Sequence, residues 1–159
     1  MDDQPRGSVS MGLPEGYQIR SVTKSDHRQY LQTLSVLTTI GNVTEKQFCE
    51  LVEEWNRYPE IYYPRVVVDA ENNVVATGML LVEQKLIHGC GRVGHIEDIA
   101  VAESQQGKKL GNLLIAYLSK LAEDKKCYKV ILDCSKENVG FYEKCGYKNA
   151  GVEMTKRYD

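Results

Sequence analysis

The segment Val93–Gly111, VGHIEDIAVAESQQGKKLG, decides the fold. Its apolar run predicts a buried strand over 93–101, a short acidic loop follows, and a glycine-bracketed basic turn opens a helix. Glycines let a backbone approach an anion, and a helix N-terminus presents free N–H groups with partial positive charge. The turn therefore predicts a pyrophosphate site, although a solvated loop has the same composition. The residues of this turn are Gln106, Gly107, Lys108, Lys109, Leu110 and Gly111.

Length and composition indicate one globular domain. The chain has 159 residues, 42% of them hydrophobic, and a net charge of −2. This length supports one sizeable core, and the near-neutral charge predicts no nucleic-acid partner. No apolar run approaches the roughly 20 residues of a membrane span, and the N-terminus lacks the apolar core of a signal peptide. We expect a disordered tail over 1–14, a single domain over 15–159, no membrane partner and a cytoplasmic location.

Cysteine usage favours a reducing compartment. The count is odd and no CxxC pair occurs, which predicts neither a disulfide framework nor a zinc site. A nucleophilic cysteine would need a base nearby in space, and the chain has only three histidines. The pattern favours small buried hydrophobic side chains at all five positions, and no bound metal. The five cysteines are Cys49, Cys90, Cys127, Cys134 and Cys145.

Hydrophobic periodicity predicts the element order β, α, α, β, β, β, α, β, α, β. A capping box at Thr44 and Gln47 predicts the start of the second helix, and Pro59 and Pro64 indicate a loop after it. The strands are expected over 17–22, 66–69, 74–83, 93–101, 128–133 and 147–157. The last two helices are expected over 109–124 and 137–144.

The fourth strand, the helix after it and the fifth strand predict one right-handed βαβ unit. The fifth strand is nearly continuously apolar, as expected for a parallel strand covered on both faces. Ligands of such units lie beyond the carboxyl ends of the strands. These ends are at 100–101 and 133–134, beside the basic turn.

A second segment, Asn138–Tyr147 (NVGFYEKCGY), combines with the basic turn to resemble the GNAT acetyltransferase superfamily. The superfamily turn follows [RQ]-x-x-G-x-[GA]; Gln106 and Gly111 match it, while Lys109 stands where the middle glycine is usual. The resemblance implies an α/β (α+β) acyl-CoA-binding fold: a central mixed, twisted sheet with splayed fourth and fifth strands and flanking helices. It also implies acetyl-CoA as cosubstrate.

The same resemblance implies where acetyl-CoA binds. The turn would hold its pyrophosphate, and Asn138 would contact its pantetheine arm or its thioester end. Tyr142 follows Asn138 by four residues, on the same helical face, and its hydroxyl would donate to the departing thiolate. A core aromatic is the other interpretation of Tyr142. The strand backbone that would pair with the arm belongs to Ile99, Ala100 and Val101.

Four further stretches resemble the amino-sugar-phosphate branch of the superfamily: LTTIG at 37–41, KLIH at 85–88, HIEDIAV at 95–101 and NAGVEM at 149–154. This likeness implies acetyl transfer to the amine of D-glucosamine 6-phosphate, on the route to UDP-N-acetylglucosamine. It also implies a homodimer with sites near the subunit boundary. A sugar phosphate needs cations and hydroxyl donors, and the candidates are Thr38, Lys85, His88 and Arg157, the last from either subunit.

Glu97 and Asp98 are the candidate carboxylates for the amine. Neighbours on a regular strand point to opposite faces, so both can line one site only if a β-bulge turns one of them; superfamily members carry such a bulge. We assign Glu97 to the amine, directly or through water, and Asp98 to sugar hydroxyls or to structure. The carbonyl of Asp133 would orient the amine, and an amide near Ile99 would stabilise the oxyanion. We expect His95 to be structural.

Two other functions fit the same residues. The fold could act on a different amine, such as a protein lysine, a protein N-terminus or a polyamine. Alternatively, a non-catalytic module could have kept only the acyl-CoA site.

Overall fold

The computed structural model describes residues 12–159. Within that range five strands form one sheet in sequence order: β1 Gln18–Ser21, β2 Tyr62–Val68, β3 Val74–Gln84, β4 Arg92–Val101 and β5 Cys127–Ile131. The α-helices that flank the sheet are α1 His27–Leu34, α2 Glu45–Arg57, α3 Leu110–Asp124 and α4 Val139–Lys144. Shorter helical turns cover Lys24–Asp26, Ile87–Cys90, Glu103–Gln105 and Lys136–Asn138.

The sheet is mixed, as the sequence predicts. Strands β1 to β4 pair antiparallel, and β4 pairs parallel with β5 through the α3 crossover. Helix α3 packs against β3, β4 and β5, while α1 packs against β3 and β4. The carboxyl ends of β4 and β5 therefore lie side by side at the same end of the sheet.

Two apolar clusters hold the layers together. The larger lies between the sheet and α3, and this helix buries in it the side chains of Leu110, Leu114, Tyr117, Leu118 and Leu121. The smaller lies under α1 and α2 around Tyr30, Phe48 and Val52. The predicted capping box is confirmed: the Thr44 hydroxyl accepts from the Gln47 N–H at 3.2 Å, and the Gln47 side chain accepts from the Thr44 N–H at 2.9 Å.

The expectation that the fifth strand is covered on both faces is wrong. In the described part of the chain β5 is an edge strand paired only with β4, and Tyr128 and Ile131 on it are 40% and 41% exposed. Its apolar composition is therefore not explained by burial within residues 12–159. Pro64 also departs from the prediction, since it lies inside β2 rather than in a loop. It stands just beyond the part of β2 that β1 pairs with, where a residue without an N–H is tolerated.

The predicted final strand over 147–157 is not formed. Residues 147–159 have no regular secondary structure, and three apolar side chains there are 87–89% exposed: Val152, Met154 and Tyr158. Alternating apolar residues form a strand only when a partner backbone is present to accept their hydrogen bonds, and no other strand of residues 12–159 reaches this segment.

The predicted N-terminal tail lies mostly outside the described residues, since 1–11 are not part of them. Of the remaining three, Leu13 packs against the larger core cluster. No helix between residues 12 and 159 is long and apolar enough to span a lipid bilayer.

Candidate active site

Strands β4 and β5 diverge at the centre of the candidate site. Their pairing ends at His95 and Ile131, yet β4 continues to Val101. The last six residues of β4 therefore have no partner on the β5 side, and the predicted splay is confirmed. A strand edge with unpaired N–H and C=O groups can bind an extended ligand that carries amides.

A β-bulge interrupts β4 where the two carboxylates lie. Thr77 pairs with Ala100 and Met79 with Glu97, so Asp98 and Ile99 together stand opposite the single residue Gly78. Asp98 has a φ of +55°, a left-handed conformation that only the bulge requires. The expected bulge is thereby confirmed.

The bulge turns Glu97 and Asp98 away from the α3 side of the sheet. Ile99 points to that side, since a Cβ on Gly78 would lie 2.8 Å from the Ile99 Cδ1 and 3.0 Å from Leu114. Glu97 pairs with Met79, one step along from the core residue Leu80, and so lies on the opposite face. Asp98 is close enough to Tyr30 of α1 for its charge to raise the pKa of that buried phenol, after the larger effect of burial itself.

The charges of Asp98 and Asp133 act on the Glu97 carboxylate at the splay. Partial desolvation raises the pKa of Glu97, and the negative charges of Asp98 and Asp133 raise it further. Desolvation also raises the pKa of Asp98. A carboxylate with a raised pKa is a better proton acceptor at neutral pH than an ordinary surface carboxylate. The arrangement can therefore remove a proton from an amine placed between β4 and the end of β5.

Tyr142 lies on the other side of the splay, in the wall of a cavity of about 540 Å³ that Asp133 and Cys134 also line. Its ring is held edge-on by Phe141 at 4.9 Å and by Tyr147 at 6.3 Å between centroids. Burial raises the pKa of Tyr142, and nearby thiols of Cys134 and Cys145 add to this. The phenol therefore keeps its proton at neutral pH and can donate it. Asn138, at the start of α4, is exposed.

The basic turn has the backbone form that an anion site needs. Gly107 has a φ of +88° and Lys109 a φ of +59°, so a lysine occupies a left-handed position that suits glycine. Among residues 12–159 no side chain caps the N-terminus of α3, which leaves its first N–H groups available to a ligand. Gly111 lies against Phe141, with 3.4 Å from its would-be Cβ to the ring. These residues fit the pyrophosphate of an acyl-CoA.

The two lysines of the turn differ. The Nζ of Lys108 donates to the Tyr17 hydroxyl at 3.0 Å and to the Gln105 side chain at 2.8 Å. Lys109 is exposed at the start of α3. Lys108 therefore braces the loop, and Lys109 is the better placed of the two for a bound anion.

The four candidate phosphate ligands lie in three separate segments of the chain, and two of them form ion pairs within it. Lys85 pairs with Glu83 at 2.7 Å, and the His88 ring stacks on Tyr128 at 4.2 Å. Thr38 lies exposed in the loop after α1. Arg157 pairs with Asp159 at 3.0 Å in the exposed C-terminal segment.

Sequence reasoning missed the residues that support the site. Glu83 binds His95 at 2.8 Å as well as Lys85, which confirms the structural hydrogen bond expected of His95. Tyr17 braces the basic turn, Tyr30 lies beside Asp98, and the Thr77 hydroxyl bonds the Asp98 backbone. The one available signal was the threonine inside the apolar run VVATGML, directly before the glycine opposite the bulge.

Comparison with known proteins agrees with this geometry. The model of the acetyltransferase (GNAT) family matches residues 28–147. The chain belongs to this family.

The most similar relatives reported below act on one kind of amine, according to their names. The chain is 59% identical to the glucosamine 6-phosphate N-acetyltransferase of Candida albicans over 149 residues, which cover 93% of this chain and 100% of that one. The crystal structure of glucosamine-6-phosphate N-acetyltransferase from Arabidopsis thaliana superposes with a TM-score of 0.86 at 38% identity, covering 91% and 100% of the two chains. A predicted acetyltransferase from Clostridium acetobutylicum, solved with acetyl-CoA, shares the fold at 15% identity and a TM-score of 0.67, over 89% and 96%.

Proposed function

We propose that the protein transfers the acetyl group of acetyl-CoA to the amine of D-glucosamine 6-phosphate, giving N-acetylglucosamine 6-phosphate. The observation that carries this proposal is the 59% identity to the Candida albicans enzyme over 93% of the chain. The splay, the carboxylates of β4 and the phenol of Tyr142 supply the chemistry that such a transfer needs.

Acetyl-CoA would bind along the splay. The N–H groups at the start of α3 and the side chain of Lys109 would hold its pyrophosphate, and the edge of β4 at 99–101 would pair with its pantetheine amides. Asn138, at the start of α4, would contact the thioester end. The cosubstrate supplies the activated acetyl group, and the protein positions it.

Glu97 and Asp133 act on the acceptor amine. The amine must be neutral to attack, so Glu97 accepts a proton from it directly or through a water, and the Asp133 carbonyl orients it. The amine nitrogen then forms a bond to the thioester carbon. An amide near Ile99 stabilises the negative charge that develops on the carbonyl oxygen. Asp98 binds sugar hydroxyls.

Tyr142 acts on the leaving group. The carbon–sulfur bond breaks as the amide forms, and the phenol donates its proton to the departing thiolate. The attacking nitrogen loses its second proton, which restores the phenol through water. The raised pKa of Tyr142 keeps the proton in place until that step. Direct attack in a ternary complex accounts for the whole reaction, and no protein nucleophile is required.

We further propose that the protein works as a homodimer. The exposed apolar side chains of the C-terminal segment 148–159 and the open edge of β5 are two surfaces that a second copy would cover. Arg157 lies in that segment, so the partner could bring it to the phosphate next to Lys85 and His88. Analytical ultracentrifugation tests this, and a monomer at micromolar concentration would contradict it.

A cytosolic location completes the proposal. All five cysteines are unpaired, which suits a reducing compartment. The expectation that all five are buried is wrong, since Cys90 and Cys134 are exposed and the other three are only partly buried. Cell fractionation with an antibody to the protein tests the location, and recovery in an oxidising compartment would contradict it.

The test of the reaction is a thiol-release assay with acetyl-CoA. Glucosamine 6-phosphate and unphosphorylated glucosamine are compared as acceptors, with a lysine peptide and spermidine as further arms. Fast CoA release only with the phosphorylated sugar supports the proposal. Release only with the peptide or the polyamine would give the fold a different acceptor. Binding of acetyl-CoA without release in any arm would leave a non-catalytic module.

A further inference from the structure

Thr77 of the neighbouring strand β3 contacts the bulge of β4. Its side chain is fully buried in β3, and its hydroxyl donates to the backbone carbonyl of Asp98 at 3.2 Å. The carbonyl belongs to the residue with the φ of +55°. The side chain of Thr77 therefore bonds the one residue of β4 that the bulge forces into a left-handed conformation.

A bulge creates a need for such a bond. The extra residue stands outside the regular ladder, so its polar backbone groups lose the partners that a continuous strand would supply. An unpaired carbonyl in a partly dry site is unfavourable, and a left-handed aspartate is unfavourable as well. Without another constraint, β4 would tend to slip toward regular pairing, which would send Glu97 and Asp98 to opposite faces.

Packing alone does not call for a hydroxyl at this position. Thr77 lies between Val66 of β2 and Ala100 of β4 in the interior of the sheet. Valine has the same shape and a strong preference for such a site. The hydroxyl adds only its hydrogen bond, and that bond ends on Asp98.

We propose that Thr77 is a positioning residue, whose hydroxyl holds the bulge in the form that turns Glu97 and Asp98 to one face of the sheet. It is remote from the reacting atoms and acts through the backbone of Asp98. The expected effect of Thr77 on turnover rests on the proposed function. Its expected effect on the conformation of Asp98 rests on the bulge alone.

Thr77→Val tests the proposal, because it removes the hydroxyl and keeps the shape. We expect kcat with glucosamine 6-phosphate to fall about 10- to 100-fold, since small displacements of catalytic groups have large effects on rate. The KM for acetyl-CoA stays within about twofold, because the basic turn is untouched. Thr77→Ser keeps the donor and restores most of the turnover.

Thr33→Val is the matched control. Thr33 is also buried, and its hydroxyl donates to a β3 backbone carbonyl, that of Val74, at the same 3.2 Å. The two variants lose the same kind of bond, but only one lies at the bulge. Equal kcat values for T33V and T77V would overturn the proposal, and so would a T77S enzyme as slow as T77V.

Two further measurements keep the test decisive. If T77V does not fold, Thr77→Ala and Thr77→Ser are compared, since they leave the same space and differ by one hydroxyl; equal turnover then overturns the proposal. If the wild-type protein does not turn over glucosamine 6-phosphate, the proposed function fails by itself, and crystal structures test the bulge. Asp98 leaving its left-handed conformation in T77V but not in T33V supports the proposal; an unchanged Asp98 overturns it.

Discussion

The Nζ of Lys108 donates a hydrogen bond to the hydroxyl of Tyr17 at 3.0 Å, across 91 positions of the chain. The same hydroxyl donates to the Gln105 side chain at 2.8 Å. A tyrosine just before β1 thus holds the loop that leads into the basic turn at the start of α3.

Tyr17→Phe removes both of these bonds and keeps the ring. We expect the KM for acetyl-CoA to rise about two- to tenfold, the equivalent of one ordinary hydrogen bond, while kcat stays near the wild-type value. Steady-state kinetics measures both. Tyr58→Phe, at an exposed tyrosine of the α2–β2 loop, is the control. An unchanged KM would show that the turn keeps its form without Tyr17.

Lys109→Gly separates backbone strain from charge. An L-residue at a φ of +59° is strained by about 1–2 kcal/mol, and the greater freedom of glycine when unfolded cancels part of the gain. We expect the Tm to be slightly above that of the wild type. The KM for acetyl-CoA should rise, because the cation is lost. Asparagine in Lys109→Asn tolerates the backbone conformation and also lacks the charge. The KM of this variant for acetyl-CoA should therefore equal that of Lys109→Gly. A glycine variant that binds acetyl-CoA more tightly would remove Lys109 from the anion site.

Tyr142→Phe tests the proton donor. We expect kcat to fall by about 10² or more with little change in either KM, since the proton moves only after both substrates are bound. Tyr147→Phe is the control, because Tyr147 is also a half-buried phenol of the same cluster but bonds to Ser119 at 2.6 Å. Equal turnover of the two variants would exclude Tyr142 from the chemistry.

Asp98→Asn should move the acid limb of the pH profile. In the proposed reaction Glu97 works as the ionised form, so we expect activity to be lost as the pH falls through its pKa. Partial desolvation and then the charge of Asp98 raise that pKa, so the limb lies above the usual glutamate value of about 4.3. Removing the charge lowers the pKa and shifts the limb of kcat/KM to lower pH, whatever happens to the plateau. A limb that does not move would show that another group accepts the proton.

Stability at low pH depends on Asp26. Burial alone would raise the pKa of this carboxyl, but hydrogen bonds from Arg20, at 2.8 Å to each oxygen, and from Thr23 outweigh it and lower the pKa. The stability it contributes is present above the unfolded pKa of about 3.9 and is lost as the pH falls through the folded pKa.

Asp26→Asn should therefore lower the free energy of unfolding on the order of 2 kcal/mol at pH 7, and the difference from wild type should shrink below about pH 4. Urea denaturation at both pH values measures this. Glu53→Gln, at an exposed partner of Lys24, is the control. A difference that persists at pH 3 would contradict the assignment.

The sequence was a good guide wherever local chemistry decides the structure. The capping box at Thr44 follows from residue types at fixed spacing. The splay of β4 from β5 and the bulge at Glu97 and Asp98 were expected from the resemblance to the acetyltransferase superfamily, whose members carry both. Each of these depends on a few neighbouring residues or on a motif with a defined backbone form.

The rest depends on contacts that periodicity does not encode. The apolar pattern of β5 and of 147–157 indicates strands whose side chains are buried. No element within residues 12–159 buries them. The bonds from Tyr17 to Lys108 and from Thr77 to Asp98 join distant parts of the chain through side chains that are unremarkable in the sequence. The ion-pair partners of the candidate phosphate ligands within one chain, such as Glu83 for Lys85, could not be predicted from the sequence either.

The divergence of β4 from β5 leaves the last six residues of β4 paired with β3 on one side and, among residues 12–159, without a strand partner on the other. A ligand that pairs with this edge takes the place of a missing strand, and it binds the folded chain only. Its contribution to stability grows with concentration, reaching about 2.7 kcal/mol at a hundred times the Kd. We therefore expect the Tm of the protein to rise with the concentration of acetyl-CoA.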